Sequence, residues 1–336
     1  MRSCRWEKFL PIYLSIVVAL LALALLVPTA RSELPKMTET WGEPKPPYRL
    51  LLLGEDEVSG LCDVIILANI DVEAGTVCLA QIPRDTYFNC SENRYKKING
   101  AVKFLGGAEG LCRSLEEALA LKIDGYVMVD LKGVQALVDM LGGVEIDVPC
   151  DMDYRDPEQG LSIHLKKGRQ QLTGQQAVQF IRYRSGYVRG DLGRVDAQKL
   201  FLAAFLEAAR QVENRDVPKL ASVTVRFVRT NVGISQGISL FRAVREVAGD
   251  RITVVTLPGE EIRSEYSGAW YYVLSKSGTA DVLDQMFGVS DANETLDSAH
   301  RFSDGTRTDF ETIYRRDIVP KYYTADSLRQ EGLTVG

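Results

Sequence analysis

The residues of this chain best suited to chemistry are carboxylates and guanidinium groups. Asp56 follows the apolar run YRLLLLG, and Asp63 opens the next run, DVIILANID; if these runs are neighbouring strands, both acids stand at one end of a sheet. Such a pair suits a hard cation like Mg²⁺, which takes one or two carboxylates and completes its shell with phosphate oxygens. The same spacing also fits two solvated loop acids. Arg84 and Asp85 of IPRDTY come directly after a third apolar run, and Arg182 and Arg184 of RYR stand two apart, so in extended chain both guanidinium groups point to one face. Planar forks bind phosphate oxygens in pairs, and several on one face match a diphosphate better than a lone carboxylate. Arg194 and Gln198 share a helix face at i and i+4, Asp191 is placed to cap that helix, and Lys96 and Lys97 precede Ile98 and Asn99 in a loop. Each alone fits a surface ion pair; their joint occurrence points to a phosphate site.

Other chemistries find less support. Two histidines and six cysteines without C-x-x-C or H-E-x-x-H spacing leave no zinc-finger, zincin or thioredoxin-like motif. Forty Lys+Arg against 45 Asp+Glu, a net charge of -5, argue against nucleic-acid binding through overall basicity. Gly233 to Gly237, GISQG, matches the G-x-S-x-G nucleophile elbow of serine hydrolases, yet the only histidine downstream is His300, in a polar stretch. Ser235 is therefore read as a helix N-cap, and His164, between Ile163 and Leu165, as a strand residue.

The elements that must position these groups follow from the hydrophobic pattern. At 336 residues the chain can bury one large α/β core or two small ones. YRLLLLG, DVIILANID and TVCLAQIP are continuous apolar runs and predict buried strands; GYVMVDL and VEIDVP predict two more. GAEGLCRSLEEALAL and KGVQALVDMLGG have helical spacing, and Thr173 is placed to cap a helix through QQAVQF. A long helix is expected from Leu192 to Val212, then a strand in VTVRFV, a helix in ISLFRAVREV, a strand in RITVVTLPG and an aromatic stretch at Trp270, Tyr271 and Tyr272. Strand and helix alternate, which implies an α/β fold, a three-layer α-β-α sandwich around a buried sheet. Residues 1–28 read as a cytoplasmic N-terminus and a single membrane helix from Phe9 to Val27, oriented by Arg2, Arg5 and Lys8. Residues 29–47 read as a proline-rich linker, 48–290 as the catalytic domain and 291–336 as a polar, loosely ordered tail. Cys62, Cys78, Cys90, Cys112 and Cys150 then lie outside the membrane, an odd set that cannot pair completely within one chain.

In order, the segments LLLGED, CDVIILANID, IPRDTY, KINGA, GGVEIDVP, IHLKKGRQQLTGQQAVQFIRYR and GDLGRVDAQKLFL resemble the LytR-CpsA-Psr family, from about Tyr48 to Val212. The resemblance implies a membrane-anchored, extracytoplasmic phosphotransferase. It would move a glycopolymer, such as teichoic acid or capsule, from a polyprenyl-pyrophosphate carrier to peptidoglycan. It makes Asp56 and Asp63 ligands of Mg²⁺, or of Mn²⁺ in its place. It assigns Arg84, Lys97, Arg182, Arg184, Arg194 and Gln198 to the pyrophosphate, and Asp63, Arg84 and Asp85 to catalysis. An apolar tunnel for the lipid is expected beside Phe104, Leu115, Leu119, Val138 and Leu141. Leu61 and Ala197 stand where the family commonly has arginine, with Lys97 or Arg189 as substitutes. That departure favours an alternative, a non-catalytic polyprenyl-glycan binder or regulator of envelope assembly. No nucleic acid is implied as a partner.

Overall fold

The computed structural model describes residues 47–56, 59–90, 93, 96–157, 161–183, 185–187, 191–212, 227–265, 267–299, 301–303 and 308–331. The expected membrane helix, most of the linker, Arg184, Arg189 and His300 lie outside these residues. Among the described residues, no helix is long and apolar enough to cross a membrane.

Three apolar runs open the domain as strands β1 (Tyr48–Glu55), β2 (Cys62–Asp71) and β3 (Thr76–Gln81). They form an antiparallel meander, because the connections are too short for a crossover. At the second turn Asp71 Oδ1 accepts from the Ala74 N–H at 2.8 Å, and Gly75 supplies the φ of 61° that closes it. The chain continues through α1 (Ile98–Phe104), α2 (Ala108–Leu119), β4 (Gly125–Asp130), α3 (Leu131–Met140), β5 (Val144–Val148), β6 (Met152–Asp156), β7 (Leu161–Leu165) and β8 (Gly168–Leu172). Then come α4 (Gly174–Arg182), α5 (Asp191–Arg210), β9 (Val228–Thr230), α6 (Ile234–Glu246), β10 (Ile252–Thr256), β11 (Gly259–Arg263) and β12 (Trp270–Leu274). The last elements are α7 (Lys276–Phe287), α8 (Ala292–Ala299), α9 (Thr308–Tyr314), β13 (Tyr322–Thr324) and α10 (Ala325–Glu331).

Seven strands form the central sheet in the order β13-β10-β3-β2-β1-β4-β9. It is mixed: β4 lies parallel to β1 and β10 parallel to β3, while the other pairs are antiparallel. Leu50, Leu52, Val64 and Ile66 face a core shared with α3, α4, α5 and α6. Leu51, Leu53, Ile65 and Leu67 face a second core shared with α1, α2 and α7. Covering on both faces is why the strand sequences are apolar throughout rather than alternating. Each such side chain contributes about 1.5–3 kcal/mol by leaving water.

Three expectations need correction. Phe104, Leu115 and Leu119 do not share a lining with Val138 and Leu141. Leu115 and Leu119 are buried in the second core and Val138 in the first, on opposite faces of the sheet, while Phe104 is 46% exposed. An apolar helix face reports that the helix is packed, not on which side of the sheet. Residues 291–336 are not a loose tail over their described part: Phe302, Phe310, Ile313, Tyr314 and Leu328 are buried, and β13 pairs with β10. Short elements with one or two apolar anchors leave no periodic run to detect. The stretch DMDYRDPEQG has no apolar run and predicts a loop, yet it contributes β6 to a hairpin with β7, because Met152, Ile163 and Leu165 alternate inward.

Candidate functional site

Asp63 owes its position to a break in strand register. Val64 pairs with Gly54 but Cys62 pairs with Glu55, so Asp63 is the extra residue of a β-bulge. The cores record the same shift. Val64 lies in the first core and Ile65 in the second, so regular alternation would return Cys62 to the first, yet Cys62 packs in the second. On the other side of β2, Ile66 pairs with Gln81 and the Ile82 N–H donates to Ile65 O at 2.8 Å. Continuing that antiparallel register brings Arg84 level with Asp63. The two side chains meet, Arg84 Nη1 to Asp63 Oδ1 at 3.3 Å, and the residues are only 5% and 2% exposed.

The segment after Arg84 is pinned from two directions. The Tyr272 N–H of β12 donates to Asp85 O at 2.9 Å and the Tyr87 N–H donates to Tyr272 O at 2.8 Å. From α1, the Ile98 N–H donates to Thr86 O at 3.0 Å and the Asn99 N–H to Arg84 O at 3.2 Å. Buried Asn93 donates from Nδ2 to Lys97 O at 2.7 Å, fixing the residue that precedes α1. Lys97 therefore turns its ammonium onto Asp85 Oδ1 at 2.6 Å, while Arg84 Nε stands 3.5 Å from Asp85 Oδ2. Asp63, Arg84, Asp85 and Lys97 form one chain of alternating charge. Both Arg84 contacts exceed the length of a tight charge-assisted hydrogen bond, so the guanidinium is shared between two acids rather than forked onto one.

A second group approaches the same edge from the helices. Gln198 is buried on α5; its Oε1 faces Gln81 Nε2 at 3.5 Å and its Nε2 faces Ile181 O at 3.4 Å. These long contacts tie the end of β3 to α5 and to the last turn of α4. Arg182 is the last residue of α4 and not part of an extended segment, which corrects the premise that aligned it with Arg184. Thr173 and Gln176 form a capping box at the start of α4, Thr173 Oγ1 accepting from Gln176 N at 3.3 Å and Gln176 Oε1 from Thr173 N at 3.0 Å. Burial pushes the Arg182 guanidinium pKa down, opposed first by the charge of Asp56 and then by Asp156 and Tyr154. Asp56 thus acts on Arg182 across the end of β1. Arg194 lies in α5 one turn before Gln198; its side chain is outside the described set, as is all of Arg184.

Other candidates separate from this edge. The N-cap of α6 is Gly233 without a side-chain bond, so Ser235 is not the cap. His164 lies on the exposed side of β7, with Nδ1 3.1 Å from Asp153 and Nε2 2.9 Å from the Ser162 hydroxyl. Cys62, Cys78, Cys90, Cys112 and Cys150 are free thiols. Among the described residues no group of three or more His, Cys, Asp or Glu gathers as a metal cage. Asp56 and Asp63, from adjacent strand ends, are a hard-oxygen set that fits a cation completing its shell with substrate phosphate. Gln81 and Tyr272 were not legible as contributors. A glutamine ending an apolar strand was the only signal for the first, and the second belongs to a strand distant in sequence.

The fold is thus a mixed sheet covered on both faces, with a part-buried arginine–carboxylate chain at one strand edge. Residues 28–288 match the LytR_cpsA_psr family, and the chain belongs to that family. Among curated relatives it is 31% identical over 240 residues to the polyisoprenyl-teichoic acid–peptidoglycan teichoic acid transferase TagU of Oceanobacillus iheyensis, covering 69% of this chain and 72% of that protein. It is 29% identical over 238 residues to the corresponding transferase TagV of Bacillus subtilis, covering 68% of this chain and spanning 61% of the relative's length. The crystal structure of B. subtilis TagV superposes with a TM-score of 0.62 at 28% identity, covering 76% of this chain and 99% of that one.

Proposed function

We propose that this chain is a phosphotransferase that moves an anionic glycopolymer from a polyprenyl-pyrophosphate carrier to peptidoglycan. Teichoic acid is the cargo favoured by the relatives' names, with capsule polymer as the other member of the class. The observation that carries the reading is the chain Asp63–Arg84–Asp85–Lys97 at the strand edge, buried at Asp63 and Arg84. Arg84, shared loosely between two acids, is placed to exchange one of them for a phosphate oxygen, and Lys97 adds a second cation. Arg182, Arg184, Arg194 and Gln198 complete the diphosphate contacts. Asp56 and Asp63 would hold Mg²⁺, whose chemistry is to neutralise charge on the diphosphate oxygens. A sugar hydroxyl of peptidoglycan attacks the glycopolymer phosphorus, the P–O bond to the polyprenyl phosphate breaks, and the hydroxyl proton passes to a carboxylate, Asp63 or Asp85. Once on the diphosphate, Arg84 and Arg182 absorb charge on the leaving phosphate. The helix from Phe9 to Val27 would anchor the enzyme, with the N-terminus cytoplasmic and the domain outside.

Ala197 offers no cation from inside the core, which favours the second reading, a non-catalytic binder of the same lipid-linked glycan. Transfer of labelled glycopolymer from a lipid-pyrophosphate donor to peptidoglycan separates the two. Turnover by the wild type, lost more fully in Asp63→Ala than in Asp56→Asn, is the expected result. Binding without turnover selects the second reading, and wild-type rates in both variants remove the metal site.

A further inference from the structure

The Lys97 ammonium, besides its contact with Asp85, lies 5.4 Å from the centroid of the Tyr271 ring. Tyr271 is 4% exposed, and its ring does not stand alone. Phe310 of α9 packs at 5.2 Å from Tyr271 and at 5.2 Å from Tyr87, while Tyr87 and Tyr271 are 6.0 Å apart, so three rings close a triangle. Next to it Phe88 stacks edge-on to Phe302 at 5.5 Å. The backbone follows the same path: Asn89 N–H donates to Arg301 O at 2.6 Å, and Arg301 Nη1 donates to Asn89 O at 3.0 Å. Phe302 and Phe310 lie beyond the family match, which ends at residue 288. A segment beyond the family match thus packs behind the loop that carries Arg84, Asp85 and Lys97.

We infer that Tyr271 and Phe310 are positioning residues for Lys97: the Tyr271 ring face holds the ammonium in line with Asp85, and Phe310 holds the ring. The chemistry is electrostatic. A ring face attracts a cation most strongly where water is excluded, and a packed aromatic neighbour prevents the ring from turning its edge toward the charge. An ammonium on a four-carbon stem has many rotamers of its own, so a fixed partner on each side selects one. The consequence for diphosphate binding rests on the function proposed above; the placement of Lys97 does not.

The test uses the full chain in mild detergent and two readouts. The first is the rate at which acetic anhydride modifies Lys97, followed by mass spectrometry, with Lys199, 5% exposed, as the control for loosening elsewhere. Tyr271→Leu and Phe310→Leu are expected to raise Lys97 modification on the order of threefold to tenfold while Lys199 stays protected; Tyr271→Phe, which keeps the ring face, is expected to match the wild type. The second readout is affinity for farnesyl diphosphate, expected to weaken by a similar factor in the leucine variants only. Unchanged Lys97 modification in Tyr271→Leu overturns the inference, and so does a rise shared by Lys199. Wild-type failure to bind farnesyl diphosphate would instead count against the proposed function, leaving the modification rates to decide the placement.

Discussion

Arg84→Ala removes a cationic contact of Asp63, a carboxylate 2% exposed at the bulge of β2. Taking away one member of a buried ion pair leaves the other desolvated and uncompensated, at a cost of about 3–5 kcal/mol. The 3.3 Å and 3.5 Å contacts are loose, and Asp85 keeps Lys97 at 2.6 Å, so the lower half of that range is expected. For a domain of this size, at roughly 2–4 °C per kcal/mol, the melting temperature should fall by about 6–16 °C. Adding Asp63→Asn to Arg84→Ala removes the stranded charge and should return much of the loss, so the two substitutions are non-additive. Arg84→Lys should fall between, since one ammonium reaches one acid and not both. Thermal melts of the three variants beside Asp63→Asn measure the cycle. A melting temperature for Arg84→Ala within about 2 °C of the wild type, the range of an ordinary surface substitution, would refute the buried-pair account.

Two further outcomes follow from the packing. Thr173→Ala should lose the side-chain bond of the capping box, Gln176 N–H to Thr173 Oγ1, costing about 1 kcal/mol and lowering the melting temperature by about 2–4 °C, while Thr173→Ser should be nearly neutral; equal melts for both would show that α4 is held by packing alone. Burial pushes the Cys112 thiol up to about 12 and Cys78 up to about 11. These are acids whose neutral form the fold favours, so near pH 8 only on the order of 1 in 10⁴ Cys112 side chains is thiolate, and native iodoacetamide labelling should be slow and climb about tenfold per pH unit. Complete native labelling of Cys112 in a short pulse would contradict its burial.

What the sequence made legible and what it did not have separate physical causes. YRLLLLG, DVIILANID and KGVQALVDMLGG announced themselves because a strand buried on both faces and an amphipathic helix leave patterns within their own residues. Gly142 and Gly143, at φ 80° and 98°, end α3 where the paired glycines predicted. Asp63, Arg84 and Asp85 were readable as candidates from their places at strand ends. The bulge that aims Asp63 was not, since it exists only in the register with β1. Nor was the Lys97–Asp85 pair, because the loop between them is shaped by Tyr272, far along the chain. The two-residue spacing of RYR aligned its arginines only for an extended chain, whereas Arg182 is the last residue of the helix capped at Thr173.

The late position of the aromatic triangle bears on the order in which the molecule can be completed. A polypeptide made from its N-terminus presents Asp63, Arg84, Asp85 and Lys97 early, along with the strands that carry them. Phe302, Phe310 and the strand β13 that extends the sheet beside β10 emerge more than 200 residues after Lys97. Contacts separated by so much chain form slowly, because closing a long loop loses entropy before any packing returns it. A chain truncated near residue 300 would hold every charged group of the candidate site, and Tyr271, without the Phe310 ring packed against it. Completion of the site in this sense waits on a segment made well after its charged groups.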